Sequence, residues 1–191
     1  SLVQWGAVLR EIPALPLGLK YVDVSLAWEH SVARRSDGKL VAWGLNSKGQ
    51  CNVPAIPPGT AYVAVATGQY HTVASRSDGL TLAWGEDSAG QCNFPQPGAG
   101  LQFTKVSAGL GYTTALRSDG LLFAWGSNLY RQCEVPALPP GLTYVDADPG
   151  QWHTAALRSD GVAVVWGLNS SGQCKVPALP PRVTYVEVAA G

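Results

Sequence analysis

Three histidines occupy equivalent positions along the chain, and histidine is the side chain best suited to proton transfer near neutral pH. His30, His71 and His153 share one phase of a 41-residue period, and Tyr112 takes the remaining place. A single catalytic site has no reason to recur in every repeat. We therefore predict that these side chains make structural hydrogen bonds within a strand.

Other catalytic arrangements are disfavoured for the same reason. Serine, histidine and aspartate are all present, but they recur from repeat to repeat, so a nucleophilic triad is not indicated. Glu86 and Asp87 are the one adjacent carboxylate pair in a variable loop, and such a pair is able to serve acid/base chemistry. We interpret it instead as part of a solvated loop. The sequence therefore predicts no catalytic residues, no enzyme activity and no cofactor.

The four cysteines also follow the period, at positions 51, 92, 133 and 174. Equivalent positions of stacked sheets lie about 10 Å apart, whereas a disulfide needs Cα atoms within about 7 Å. The chain has no Cys-x-x-Cys spacing and no nearby Cys/His pair of the kind that binds metals. We expect unpaired, largely buried thiols and no metal site.

Each repeat contains strand-type segments separated by turns. In the repeat at 142–181, strand A covers 142–147, strand B 153–158, strand C 162–166 and strand D 173–177. Asp160-Gly161 between strands B and C is a hairpin signal. Four short antiparallel strands in about 41 residues match the size of a propeller blade. The predicted fold is all-β, a β-propeller of four-stranded antiparallel blades, with about four full blades and an incomplete one in a single domain, 1–191.

Aromatic residues and prolines have fixed places in this blade. A tryptophan ends each strand C (Trp43, Trp84, Trp125 and Trp166), and an aromatic residue begins each strand A. We predict that these rings are buried between blades, where large rings contribute most to packing. A proline in each strand D lacks a ladder donor, which suits an exposed outer edge.

Composition excludes several classes of partner. The 13 basic residues balance the 13 acidic ones, so the chain lacks the basic field that nucleic acids and anionic membranes require. No apolar run approaches the roughly 20 residues of a membrane span. We therefore expect neither nucleic-acid binding nor membrane insertion. The chain contains no methionine and begins at Ser1, so we expect it to be a segment of a longer array.

Three motifs resemble the repeat of the regulator of chromosome condensation. They are Gly-x-x-His-Thr at 68–72, Arg-Ser-Asp-Gly at 76–79 and Ala-Trp-Gly-x-Asn-x-x-Gly-Gln at 42–50. The short period and the Val-Pro pair after the last motif look closer to the secreted bacterial β-lactamase inhibitory proteins built from such repeats. This resemblance implies a bladed ring that binds proteins, a bacterial secreted protein and an inhibitor-like role. The resemblance does not imply nucleotide-exchange activity, because the chain has no insertion between its repeats that could act as the wedge for exchange.

The two loops that vary between repeats are expected to share one rim. These are the A–B loop, between strands A and B, and the C–D loop, which follows strand C; alternating strand direction brings them to the same side. Variable loops held on a rigid scaffold commonly carry binding function. The predicted protein-binding residues are Trp28, Glu29, Gln69, Tyr70, Glu86, Asp87, Leu110, Asn128, Tyr130, Gln151 and Trp152. The binding site should centre on its four aromatic side chains.

Alternatives to a protein-binding module remain open at this level. The loops could have drifted neutrally in a structural or oligomer-forming array with no ligand, or the same rim could serve a lectin or an enzyme. The expected incomplete blade would have its strand A at 184–188 and its strand C at 2–5. Unpaired ladder groups at that seam predict self-association.

Overall fold

A computed structural model of the chain describes residues 12–191. Its twelve strands form four antiparallel sheets of three strands, each in the order in which the strands follow along the chain. Blade 1 contains β1 (Tyr21–Leu26), β2 (His30–Arg35) and β3 (Leu40–Gly44); blade 2 contains β4 (Tyr62–Thr67), β5 (His71–Arg76) and β6 (Thr81–Gly85). Blade 3 contains β7 (Phe103–Ala108), β8 (Tyr112–Arg117) and β9 (Leu122–Gly126); blade 4 contains β10 (Tyr144–Pro149), β11 (His153–Arg158) and β12 (Ala163–Gly167). The all-β prediction is confirmed.

The prediction of four strands per blade is wrong, because the predicted strand D is a succession of turns. In blade 2 the backbone N–H of Cys92 donates to Asp87 Oδ1 (2.7 Å), and that of Asn93 donates to the carbonyl of Gly90 (3.1 Å). The carbonyl of Gln91 accepts a hydrogen bond from Thr113 of the next blade (2.8 Å). The backbone groups needed for a fourth ladder strand are thus used elsewhere, and Pro95 has no donor to offer.

Histidine and threonine side chains join each blade to the next. Thr72 Oγ1 donates to the carbonyl of Gln50 (2.9 Å) and therefore accepts from Nε2–H of His30 (3.0 Å). The same pattern links His71 to Thr113 (3.0 Å). Both histidines are fully buried, and this burial lowers the pKa of each to about 4. The predicted structural role of these two histidines is confirmed, and each imidazole is neutral at pH 7.

Tyr112 stands in the histidine position of blade 3 and makes an equivalent bridge. Its hydroxyl donates to the carbonyl of His153 (2.6 Å) and lies 3.1 Å from Thr154 Oγ1 in blade 4. Tyr112 is completely buried, so the substitution of a phenol for an imidazole preserves the join between blades. His153 itself is half-buried, and burial lowers its pKa.

Three of the aromatic residues predicted to begin strand A fill the spaces between blades, whereas Tyr21 and Tyr185 are half-buried. Tyr62, Phe103 and Tyr144 are buried and belong to three separate apolar clusters. The tryptophans were expected to be buried throughout, which holds for Trp43 alone. Trp84, Trp125 and Trp166 are half-buried.

The cysteines lie in the turns that replace strand D. Cys92, Cys133 and Cys174 are unpaired, as predicted, but they are half-buried rather than largely buried. Each Sγ–H points at the carbonyl six residues earlier, for example Cys133 at Ser127 (3.3 Å). Burial raises the pKa of Cys92 and of Cys133 to about 12. These thiols are therefore poor nucleophiles, because the thiolate is the reactive form.

The segment 184–188 was expected to be a strand and is not one. It lies beside β10, where Asp148 Oδ2 accepts from the backbone N–H of Ala190 (2.9 Å). The N–H of Tyr185 donates to the carbonyl of Gly161 (3.0 Å). Strand A pairs with strand B in the other blades, and the described part of the chain offers this segment no such neighbour. The proposed partner strand at 2–5 lies outside the described residues.

No helix of the described residues is long and apolar enough to cross a membrane.

Candidate functional site

The A–B loops converge at the ends of the innermost strands. Trp28, Gln69, Leu110 and Gln151 surround a concavity of about 480 Å³ between the four blades. A Cβ atom on Gly68 would lie 2.6 Å from the carbonyl oxygen of Gly109. Glycine is required there because neighbouring loops approach so closely around the concavity.

The C–D loops lie beside the A–B loops on the same rim. In blade 2 the N–H of Glu86 donates to the carbonyl of Tyr70 (2.8 Å). In blade 4 the N–H of Leu168 donates to the carbonyl of Trp152 (2.8 Å). Each blade repeats this bond, so the two loops are held as one unit. We call the surface that they form the variable rim, consisting of residues 27–29, 45–48, 68–70, 86–89, 109–111, 127–130, 150–152 and 168–171.

The aromatic residues of the variable rim differ in exposure. The Trp28 side chain is 80% exposed and Tyr130 is 41% exposed, whereas Tyr70 and Trp152 are half-buried. Tyr130 packs against Trp152 across the boundary between blades 3 and 4, with ring centroids 5.6 Å apart. The rim thus presents one isolated aromatic side chain and one aromatic pair.

Charged side chains cross the boundary between blades 1 and 2. Lys48 Nζ lies 2.6 Å from Glu86 Oε2. The hydrogen bond from Lys48 is the main cause that lowers the pKa of Glu86, and Ser88 contributes a second hydrogen bond. Glu86 is therefore a paired carboxylate at neutral pH rather than a general acid.

Two of the predicted site residues accept hydrogen bonds from the backbone of their own C–D loop. Asp87 Oδ1 accepts from the N–H of Cys92 (2.7 Å), and Asn128 Oδ1 accepts from the N–H of Cys133 (2.9 Å). Asn46 and Asn169 do the same in blades 1 and 4. The sequence carried this signal, because the position is aspartate or asparagine in every repeat. These side chains stabilise the C–D turn.

Sequence reasoning also missed residues of the variable rim. Leu129 is 83% exposed beside Tyr130, and Lys48 forms the ion pair just described. Both positions vary between repeats, which was the available signal.

Polar side chains line the inner wall of the concavity. Ser25 Oγ lies 2.9 Å from Thr67 Oγ1, and Lys105 pairs with Asp146 on the next blade. Burial raises the pKa of Asp148. Within residues 12–191 no three His, Cys, Asp or Glu side chains are grouped so as to hold a metal ion.

The sequence profile of the Regulator of chromosome condensation (RCC1) repeat matches residues 21–50, 103–132 and 145–173. These segments are similar to RCC1-type repeats. They coincide with blade 1, blade 3 and most of blade 4. The X-linked retinitis pigmentosa GTPase regulator homolog of Caenorhabditis elegans is 50% identical over 38 residues, which is 20% of this chain and 3% of that protein.

Solved structures share the arrangement of blades. Prp20p from Saccharomyces cerevisiae, studied for its binding to Gsp1p and histones, matches 84% of this chain with a TM-score of 0.70 and 22% identity. Human WBSCR16 matches 91% of the chain with a TM-score of 0.71 and 22% identity. The chain spans 46% and 53% of those two structures, respectively. The likeness shows an RCC1-like propeller fold.

Proposed function

We propose that this chain is a non-enzymatic protein-binding module that uses the variable rim. The observation that carries the proposal is the exposure of unlike aromatic side chains on loops fixed by repeated hydrogen bonds. Trp28 is 80% exposed at the mouth of the concavity, although the adjacent backbone is tied into blade 1. Exposed tryptophan and tyrosine side chains on rigid supports are typical anchors of protein interfaces.

The relatives support a protein partner. Prp20p binds Gsp1p and histones, and a second structure contains Kap60 bound to yeast RCC1 (Prp20). Those partners belong to that protein, which is 22% identical to this chain. The neutral charge balance of this chain does not favour a strongly charged partner.

The chemistry of the titratable groups supports a role without catalysis. Burial keeps His30 and His71 neutral, with a pKa of about 4 for each, and both Nε2 atoms bond to the next blade. Cys92 and Cys133 are held as thiols at neutral pH because burial raises the pKa of each to about 12. Glu86 is paired with Lys48. The groups usually recruited for acid/base or nucleophilic work are thus committed to structure.

Inhibition of a secreted enzyme is a narrower form of the same proposal. It rests on the sequence resemblance to bacterial inhibitory proteins, and serine β-lactamases are the first assay. Unchanged β-lactamase activity at micromolar concentrations of the protein would remove this narrower form and leave protein binding intact.

Alanine substitution tests the proposed surface. A partner is first captured by chemical crosslinking and identified by mass spectrometry, and its affinity is then measured by isothermal titration calorimetry. Single replacement of Trp28, Tyr70, Tyr130 or Trp152 by alanine should reduce the affinity by about 30-fold at each central anchor, equivalent to about 2 kcal/mol. The matched control is the triple variant L80A/L121A/V162A, which removes exposed apolar side chains from the opposite rim. If the control variant loses affinity while the four aromatic variants still bind, the interface lies on the opposite rim and the proposal is wrong.

A further inference from the structure

A cleft of about 420 Å³ opens on the variable rim at the boundary between blades 2 and 3. Its walls include Tyr70, Glu86 and Ala89 from blade 2 and Leu110, Gly111 and Ser127 from blade 3. The described blade boundaries on either side are filled by the protein's own side chains. The side chains that fill the equivalent positions at the other boundaries therefore indicate which kind of group fits into the cleft.

The comparison concerns two positions that meet at each boundary. One is the last variable residue of the C–D loop, and the other is the second variable residue of the A–B loop in the following blade. Between blades 3 and 4 these are Tyr130 and Trp152, whose rings pack at 5.6 Å. Between blades 2 and 3 they are Ala89 and Gly111. A methyl group and a hydrogen atom replace two aromatic rings.

Lys48 and Tyr70 hold the same two positions between blades 1 and 2. Lys48 extends to Glu86 (2.6 Å), and Tyr70 also contributes to raising the pKa of the Lys48 ammonium group. Long side chains thus cover this boundary as well. The boundary between blades 2 and 3 is the exception among the three described.

The backbone favours glycine at position 111, where φ is +71°, but the space around it would admit a Cβ atom. A Cβ atom there would have Ser127 Cβ at 3.8 Å as its nearest neighbour, which is ordinary contact. The carbonyl of Gly111 still accepts from the N–H of Ser127 (2.9 Å), so the loop has the same support as in other blades. The cleft therefore lies where positions 89 and 111 carry only a methyl group and a hydrogen atom, on a loop that keeps its hydrogen bond to the C–D loop.

The charge at the edge of the cleft does not call for a cation. Glu86 already pairs with Lys48 and accepts a hydrogen bond from Ser88, and the Lys48 contact is the main cause that lowers its pKa. The lining also includes the polar side chains of Lys48, Gln69 and Gln91, and its large apolar surfaces are the Tyr70 ring and the Leu110 side chain. Such walls suit an apolar planar group, since aromatic pairs pack favourably in tilted geometry.

We propose that this cleft receives a single aromatic side chain of the protein partner, packed against Tyr70 and Leu110 where Ala89 and Gly111 leave space. The proposal rests on the proposed function and names the partner group that the variable rim recognises. The Tyr130–Trp152 pair at the next boundary shows the kind of packing that these positions support.

The experiment uses N-acetyl-L-tyrosinamide as a probe, titrated into the ¹⁵N-labelled protein and followed by two-dimensional NMR. Saturable shifts of the Ala89, Leu110 and Gly111 amides are expected, with a dissociation constant on the order of 1 mM for so small a ligand. N-acetyl-L-argininamide and N-acetyl-L-alaninamide serve as the cationic and the backbone-only probes, and each should bind at least about tenfold more weakly.

Two substitutions test the location. A89Y fills the cleft with the residue found at the equivalent Tyr130, and it should abolish the shifts. S171Y places the same tyrosine at the equivalent position of blade 4 and should leave them unchanged. Y70A removes one wall and should weaken binding at least about tenfold, which provides a second variant if A89Y disturbs the fold.

The proposal is overturned if tyrosinamide gives no saturable shift at these amides, if argininamide binds as well, or if A89Y binds like the unmodified protein. Failure here with the four aromatic-to-alanine variants still weakening partner binding would remove the cleft proposal alone. Tyrosinamide binding in the cleft, with partner affinity unchanged in those variants, would overturn the proposed function and leave aromatic binding by the cleft established.

Discussion

The two rims of the propeller are built from the same repeats and differ in what those repeats keep constant. On the rim opposite the variable rim, the turn between the second and third strands reads Arg-Ser-Asp-Gly in every blade. Arg35 pairs with Asp37, and the same arginine–aspartate pair forms in the other three blades. On the variable rim the corresponding loops share their backbone hydrogen bonds and differ in their side chains. This difference supports the proposal that the variable rim serves recognition, whereas the opposite rim stabilises the fold.

The opposite rim also exposes apolar side chains. Leu80, Leu121 and Val162 are each about half exposed, and they follow the glycine of the turn in three blades. These residues are similar from blade to blade, whereas the variable rim offers tryptophan, tyrosine, glycine and charged groups at equivalent positions. Recognition of one particular partner favours the more varied surface.

The largest expected effect concerns the layer between the rims, where neutral histidines join the blades. The pKa of His30 and of His71 is about 4 in the folded protein, against an ordinary value of 6.5. Between these values the unfolded chain binds more protons, so the free energy of unfolding should fall as the pH is lowered from 6.5 to 4. The slope should approach 1.4 kcal/mol per pH unit for each histidine, about 3 kcal/mol per unit for both.

Denaturant unfolding at several pH values measures that slope. The aspartates of the opposite rim have lowered pKa values, so their contribution is lost below pH 3.8 and does not overlap this window. The double variant H30Q/H71Q should remove most of the slope between pH 6.5 and 4, leaving the smaller contribution of the half-buried His153, whose pKa burial also lowers. A flat profile in the unmodified protein would contradict the account of the inter-blade layer.

The second effect compares the glycines at the end of the Arg-Ser-Asp-Gly turn in blades 1 and 2. We call the rim that these turns form, opposite the variable rim, the constant rim. Gly38 and Gly79 both have positive φ, +75° and +85°. A Cβ atom on Gly38 would lie 2.4 Å from the Cβ of Ala61, whereas one on Gly79 would have only Gln102 Oε1 nearby, at 3.7 Å. Both alanine variants carry the backbone cost of about 1–2 kcal/mol, and G38A should lose about 2 kcal/mol more through overpacking.

Thermal and denaturant unfolding of G38A and G79A provide the measurement. Equal losses would show that the turn tolerates an added methyl group at the blade boundary. The arginine–aspartate pairs, rather than close packing of the turn, would then explain why the Arg-Ser-Asp-Gly sequence of the constant rim is the same in every blade.

The smallest expected effect is on the variable rim. Replacement of Trp28 by alanine should change the free energy of unfolding by less than about 0.5 kcal/mol, because the side chain is 80% exposed. A loss above about 1 kcal/mol would mean that Trp28 supports the fold, and the contrast between the rims would weaken.

The period of the sequence was sufficient to predict an all-β fold of repeated blades and the structural role of His30 and His71. Identity across repeats identifies scaffold, and His30 and His71 obey that rule. The local pattern could not show that strand D is absent. The carbonyl of Gln91 accepts a hydrogen bond from the next blade, and the N–H of Cys92 donates to the Asp87 side chain. Turn chemistry and contacts between repeats outweighed strand propensity.

The candidate site was predictable only in outline. Alternating strand direction placed both variable loops on one side, and exposure then singled out Trp28. Asp87 and Asn128 were assigned to binding because their loops vary, although their side chains cap the turn. The cleft was not visible in the sequence, since Ala89 and Gly111 belong to different blades and only the fold brings them together.

Hydrogen–deuterium exchange with and without the captured partner tests the central claim most directly, because it reports on both rims in one experiment. The account predicts that bound partner slows exchange in the variable rim, at 27–29, 68–70, 86–89, 109–111, 127–130 and 150–152. The turns at 35–39, 76–80, 117–121 and 158–162 should exchange at unchanged rates. Protection confined to those turns, with the variable rim unaffected, would contradict it.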